Sequence, residues 1–274
     1  MAVSNLESRT FAQPSKSSAA QSYYRPELDV LRLIAFLMVY FHHVIPRIPG
    51  NYHGISHIVA ASLAAIGNAC GFGLPLFFFL SAFLITKLLL LEDERTGKIH
   101  LASFYVRRWL RIWPLYVFGV LIGVSIAAAT GAYDDLHMYL GWYTWFGGNF
   151  YFQHHAWTNS PMAPLWSISV EEQFYVVFPI LLMFVRPKNS IWIGLAFMAA
   201  SMVTLYAEGE RHAPVDTVIW SNTLSQMIFF GAGIASASAA IVVPKRFRTA
   251  MIMGGFLMIK APESACPLPY AQQI

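Results

Sequence analysis

The chain of 274 residues is 57% hydrophobic and 15% aromatic, and only 12% of its residues are charged. Soluble domains carry about a quarter of charged residues, so this composition excludes a soluble protein of ordinary surface polarity and indicates an integral membrane protein. The formal net charge of +4 does not indicate nucleic-acid binding, because the basic residues stand at the ends of apolar runs, where they set membrane topology.

The predicted fold class is all-α, a polytopic transmembrane helical bundle over residues 25–259. Residues 1–24 are rich in Ser, Ala and Gln and are predicted to be a disordered lead without a cleavable signal peptide, and residues 260–274 a tail outside the membrane. About six spans are expected. They are predicted at 28–46, 58–91, 113–130, 165–185, 191–206 and 218–243.

Glycines and a proline in the second run, between Gly67 and Pro75, are predicted to break or kink it. The connection 131–164 is expected to lie against the outer membrane interface, with Trp142, Trp145, Trp157 and Trp166 in an interfacial belt. The last apolar run, 249–259, is too short to span, so the bundle is expected to be incomplete at its C-terminal end.

Arg32 and His43 lie 11 residues apart in the first predicted span. Eleven residues turn a helix by three turns plus roughly 20°, so both side chains share one face, about 16 Å apart along the axis. Placing such groups in hydrocarbon costs several kcal/mol unless they are partnered, which indicates function. His43 is the candidate proton acceptor, with His42 beside it, about 100° round the helix. The alternative is a snorkelling arginine and a capping histidine.

Two further constellations follow. Arg107, Arg108 and Arg111 can converge at a helix start and bind phosphates, or merely anchor the helix on the cytoplasmic side. Ser169, Glu171, Glu172 and Tyr175 stand in the opening turns of another span. Their carboxylates can serve as an acid, a base or an orienting partner for an imidazole, or merely stabilise the helix N-terminus. The other seven histidines fall in predicted loops, and their spacing predicts no metal site.

These segments, in order, resemble the membrane acyltransferase-3 family. The motifs are LDVLR to HH, GLPLFFFLSAFLITKLLL, FYVRRWLRIWPLY, and PLWSISVEEQFY followed by FPILL. Arg32 and His43 match the family's essential arginine and histidine. The family's arginine motif is matched by Arg107, Arg108 and Arg111. Its Ser-x2-Glu-x2-aromatic motif is matched by Ser169, Glu172 and Tyr175. The chain departs from the family in having Ala82 where a glycine is usual, and fewer spans.

The resemblance implies a bacterial inner-membrane, multi-pass O-acyltransferase with a cytoplasmic N-terminus. It would transfer acetyl or another short acyl group from acyl-CoA, a donor substrate rather than a permanently bound cofactor, to a hydroxyl of a cell-envelope glycan. Two mechanisms are open: His43 as general base, with Glu172 orienting the imidazole, or a transient acyl-histidine relay. A transporter or flippase, with the arginine and histidine in a proton or substrate pathway, and a catalytically inactive fragment are the alternatives.

Overall fold

The computed structural model describes residues 26–242, with the side chains of Asp216 and residues 240–242 left out of the description. The predicted lead 1–24, apolar run 249–259 and tail 260–274 lie outside the described residues. Within the described range the chain is helical and has no strand, which confirms the all-α prediction. The α-helices are α1 (Pro26–Val44), α2 (His57–Ala69), α3 (Gly73–Thr96), α4 (Leu101–Thr130), α5 (Tyr133–Gly141), α6 (Gly148–Tyr151), α7 (Trp166–Phe184), α8 (Ser190–Glu210) and α9 (Thr223–Val242).

Four helical segments in this part of the chain are long and apolar enough to cross a membrane: 57–96, 101–130, 163–184 and 187–210. The first of these contains α2 and α3, joined by a 3-10 turn at Cys70–Phe72, as the glycines predict. The helix that carries the arginine motif begins at Leu101 and not at Trp113, because Leu101, Phe104 and Val106 continue its apolar pattern ahead of the arginines. It ends at Gly131, whose positive φ of 68° caps the helix.

The glycine-rich turn between α2 and α3 lets α1 approach very closely. A Cβ added to Gly73 would lie 2.7 Å from the carbonyl oxygen of Ala35 and 2.7 Å from the Cβ of Met38. A Cβ on Gly71 would lie 3.1 Å from the ring of His42. Because these two glycines have no side chain, α1 can pack in direct contact with the start of α3.

The centre of the bundle lies where α3, α7 and α9 meet. Phe230 of α9 stacks on Phe78 of α3 at 4.8 Å and on Phe174 of α7 at 4.3 Å between ring centroids. All three rings are fully buried. Such stacked rings combine a large buried apolar area with a favoured ring geometry, so they hold the three helices in register.

The connection 131–165 folds back against α4 and α7, and its expected position against the membrane interface stays a prediction. Tyr143 is fully buried, donates a hydrogen bond from its hydroxyl to the Ala163 carbonyl at 2.6 Å, and accepts one at its own carbonyl from Tyr116 of α4 at 2.7 Å. Burial raises the pKa of the Tyr143 phenol, so it remains a donor at neutral pH. Trp166, expected in the interfacial belt, is buried, whereas Trp145 is 81% exposed.

Candidate functional site

A polar cluster interrupts the apolar interior where α1, α4 and α7 come together. Arg108 of α4 lies over the ring of Tyr175 of α7, with its guanidinium carbon 5.1 Å from the ring centroid. Arg32 of α1 interacts electrostatically with Arg108, Arg111 and Glu171. Its buried Nε has no hydrogen-bond partner among the described residues. Guanidinium groups from two helices therefore create one region of positive potential, and such a region favours an anionic ligand.

Glu171 supplies the counter-charge of this cluster. Its two carboxylate oxygens accept hydrogen bonds from Ser81 of α3 at 2.8 Å and from Tyr175, one turn further along α7, at 3.2 Å. Because both oxygens are engaged, Glu171 is held in one orientation near Arg108 and Arg32. The i, i+4 relation of Glu171 and Tyr175 makes their contact readable from the sequence, but the link to Ser81 depends on the tertiary fold.

Glu172 points to a different neighbour. Its Oε2 accepts a hydrogen bond from the indole of Trp113 at 3.2 Å, whereas its buried Oε1 has no partner in the described part of the chain. No hydrogen bond joins Glu172 to His43 among residues 26–242, so the orienting role for the imidazole stays a prediction. Ser169 is fully buried near the Tyr116 hydroxyl, one turn before Glu172.

The two adjacent histidines of α1 have different partners. His42 Nδ1 lies 2.9 Å from the Gly67 carbonyl, and its Nε2 lies 3.3 Å from the Arg47 guanidinium. His43 Nδ1 lies 2.8 Å from the Val39 carbonyl of its own helix. A carbonyl only accepts, so each Nδ1 must be the donor, and in the neutral imidazole each Nε2 is then the acceptor. The Nε2 of His42 is occupied by Arg47, while that of His43 is open to a substrate proton.

The structure brings part of the predicted site together. Arg32, Arg108, Glu171 and Tyr175 share one cluster, and Glu172 is next to it. The three arginines of the motif do not converge as a set: Arg108 is half-buried on Tyr175, whereas Arg107 and Arg111 are exposed.

The face of α1 between Arg32 and His43, which the sequence predicts these two residues to share, lies toward the outside of the described bundle. Phe36 and Tyr40 are 57% and 51% exposed, and His43 is exposed at the far end of the helix. Arg32 thus joins the cluster at one end of α1, and His43 is open at the other.

Sequence reasoning missed two residues of this site. Ser81 lies in the apolar motif GLPLFFFLSAFLITKLLL, and its small hydroxyl was the only signal of a polar role. Trp113 was assigned to the start of a span, and nothing in the local pattern distinguishes it from an interfacial tryptophan.

The fold and this cluster define a multi-pass membrane protein with arginine, glutamate and tyrosine side chains clustered between its helices. A family model described as "Acyltransferase domain" matches residues 25–261, and the chain therefore belongs to this acyltransferase family.

Three named relatives are similar to parts of the chain. "Putative O-acetyltransferase SAS0844" of Staphylococcus aureus strain MSSA476 is 29% identical over 66% of this chain and 29% of its own length. "Peptidoglycan O-acetyltransferase OatA" of Listeria monocytogenes is 28% identical over 86% of this chain and 38% of its own. "O-acetyltransferase OatA" of S. aureus strain NCTC 8325 is 28% identical over 61% and 27%. The chain thus spans well under half the length of these relatives. No solved structure matches it.

Proposed function

We propose that the protein is an integral-membrane O-acyltransferase that transfers acetyl, or another short acyl group, from acyl-CoA to a hydroxyl of a cell-envelope glycan. The observation that carries the proposal is the half-buried Arg108, stacked on Tyr175 and close to Arg32 and Glu171, inside a bundle whose family is defined by acyl transfer. Isolated charges in such an interior are costly, and a polyanionic donor would offset that cost.

The donor's phosphates would bind at Arg32, Arg108 and Arg111. Arg108 is oriented by its stacking on Tyr175 and Phe104, which fixes the plane of a group that can bind phosphate through two parallel hydrogen bonds. Arg107, on the exposed side of α4, would contribute only to the general positive potential. The orphan Nε of Arg32 is a donor that a bound phosphate or carbonyl would satisfy.

His43 would act as the general base. Its Nδ1–H is committed to the Val39 carbonyl, so the lone pair of Nε2 can accept the proton of the acceptor hydroxyl. The hydroxyl oxygen attacks the thioester carbonyl, the carbon–sulfur bond breaks, and the departing thiolate takes the proton to give CoA thiol and an O-ester. The separation of Arg32 and His43, about 16 Å along α1, would be bridged by the donor's extended arm.

The relay mechanism uses the same histidine differently. Nε2 of His43 would attack the thioester carbonyl, and the carbon–sulfur bond would break with loss of CoA as thiolate. The acyl group would then pass from Nε2 to a hydroxyl oxygen on the far side of the membrane, and the hydroxyl proton would return to the freed imidazole. The two mechanisms differ in one observable: only the relay forms an acyl adduct on the protein in the absence of acceptor.

The test is acyl transfer by the purified chain in lipid nanodiscs. We expect acetyl-CoA and chitotetraose, an oligosaccharide of the N-acetylglucosamine type found in the peptidoglycan backbone, to yield free thiol and an acetylated oligosaccharide by mass spectrometry. The Listeria relative's name makes a peptidoglycan-like acceptor the first choice. Thiol release without any ester on the oligosaccharide, or no reaction, would contradict the proposal.

A further inference from the structure

A cleft lies between the two connections that follow α4 and α8, at the end of these helices opposite the arginine motif. Its volume is about 390 Å³, within the range of about 300–1,000 Å³ common for small-ligand sites. One wall is the segment 152–156, and the other is formed by Pro214, Thr217 and Val218. None of the polar cluster's residues lines this cleft, so it is a separate feature of the molecule.

An unsatisfied donor marks this cleft. Gln153 lines it, and the nitrogen of its side-chain amide is buried without a hydrogen-bond partner in the described part of the chain. A buried unpaired donor costs free energy that a ligand oxygen would recover. The neighbouring wall is irregular, because Val215–Ile219 form a π-helix, a rare conformation that occurs frequently at functional sites.

His155 is held rigidly at the cleft. Its ring stacks on Tyr151 at 4.1 Å between centroids with an interplanar angle of 4°, and its Nδ1 lies 2.9 Å from the Tyr151 carbonyl. Because the carbonyl only accepts, Nδ1 is the donor and Nε2 is left as an acceptor. Ordering this imidazole before a ligand arrives reduces the entropy that binding costs.

The residues that line the cleft indicate which class of ligand it can bind. The polar groups of its described lining residues are an amide, two imidazoles and the hydroxyl of Thr217. Such groups both donate and accept, which matches alcohol hydroxyls better than phosphates or carboxylates. Phe152, Pro214 and Val218 add apolar surface against which a ring can pack.

We infer that this cleft binds the acceptor as a neutral saccharide, positioning its hydroxyls by Gln153, His155 and Thr217. The inference rests on the proposed function for the identity of the acceptor, although binding itself needs no acyl donor. It assigns donor and acceptor to opposite ends of the bundle: phosphates at the arginines of α4, the saccharide between the connections after α4 and α8.

The experiment measures binding and transfer separately. Binding of chitotetraose to the full chain in nanodiscs, without acetyl-CoA, is followed by microscale thermophoresis for wild type, Gln153→Leu, Ala156→Phe and the control His53→Ala. Gln153→Leu preserves side-chain size and removes no hydrogen bond of the amide nitrogen, so the fold should survive it. Ala156→Phe fills the cleft from an exposed position of its rim, and His53 is exposed in another connection.

We expect Gln153→Leu to raise the Kd about fivefold, the loss typical of one hydrogen bond, Ala156→Phe to raise it further, and His53→Ala to leave it unchanged. Unchanged binding in both cleft variants, or no binding of chitotetraose by wild type, would overturn the inference. Acetyl transfer by the same preparations keeps the two proposals distinct. If the protein binds chitotetraose but transfers no acetyl group, the proposed function is refuted and saccharide binding in the cleft is retained. If it transfers acetyl groups and both cleft variants keep the wild-type KM for the acceptor, only saccharide binding in the cleft is refuted.

Discussion

The two neighbouring imidazoles of His42 and His43 make different hydrogen bonds, and we therefore expect different roles for them. Replacing His43 by Ala removes the open Nε2, and we expect acetyl transfer to fall by about 10² to 10⁴, the usual contribution of a general base. Replacing His42 by Ala removes a bond to the Gly67 carbonyl instead, so we expect a stability loss of about 1 kcal/mol.

Thiol release from acetyl-CoA and thermal unfolding, measured on both variants, separate these effects. The exposed His53→Ala is the control. Equal loss of activity in His42→Ala and His43→Ala, at equal stability, would show that the open Nε2 is not what matters.

Arg107 and Arg108 differ in burial and not in residue type, which makes them a matched pair. Arg108 stacks on Tyr175 and Phe104, whereas Arg107 is exposed. We expect Arg108→Gln to raise the KM for acetyl-CoA at least about tenfold, because a charged hydrogen bond of about 1.5–3 kcal/mol is lost, and Arg107→Gln to raise it much less. Steady-state kinetics at several salt concentrations measure both. A larger effect in Arg107→Gln would place the phosphates on the outer side of α4.

At this scale the sequence predicted which polar side chains stand inside the bundle but not their partners. The i, i+4 spacing of Glu171 and Tyr175 puts them on one face of α7, where the structure has their hydrogen bond. That Glu171 lies near both Arg108 and Arg32, whereas Glu172 bonds to Trp113, depends on how α7 is rotated in the bundle. This rotation is fixed by contacts such as that with Ser81, far away in the chain.

Among the elements, the turn between α2 and α3 controls the position of α1. A methyl group at Gly73 would lie 2.7 Å from the Ala35 carbonyl oxygen, so Gly73→Ala must push α1 away from α3. We expect the variant to lose about 1–3 kcal/mol of stability, the usual cost of overpacking. Thermal unfolding in detergent checks this against Gly50→Ala, where an added Cβ meets nothing within 4 Å. Equal melting temperatures for the two variants would mean that the contact between α1 and α3 at Gly73 can accommodate a methyl group without loss of stability.

The helices themselves were largely predictable, since apolar runs of membrane length and flanking glycines or charges fix where they begin and end. The connection 131–165 was not. Its aromatic residues fit an interfacial belt as well as a packed core, and only the hydrogen bonds of Tyr143 to Ala163 and Tyr116 distinguish the two. Such long-range contacts leave no periodic signal in the sequence. The cleft beside Gln153 is unpredictable for the same reason, because α7 and α8 lie between its two walls in the sequence.

For the molecule as a whole, the proposed function requires a defined orientation in the membrane. The arginine motif stands near the start of α4 beside the basic connection 97–100, while the cleft stands beyond the ends of α4 and α8. A cytoplasmic donor and an envelope acceptor are both reachable only if the first end is inside. The positive-inside rule predicts this orientation from the excess of Lys and Arg at that end.

Cysteine labelling of intact cells tests the orientation. In a background without Cys70 and Cys266, we expect Asn159→Cys and Glu210→Cys to react with a membrane-impermeant maleimide, and Lys98→Cys to react only after permeabilisation. All three positions are exposed, so their labelling reports sidedness and not burial. Labelling of Lys98→Cys in intact cells, with no labelling of Asn159→Cys, would show that the bundle has the opposite orientation in the membrane. The saccharide cleft would then face the cytoplasm and the arginines the envelope, and transfer from cytoplasmic acyl-CoA by this geometry would be impossible.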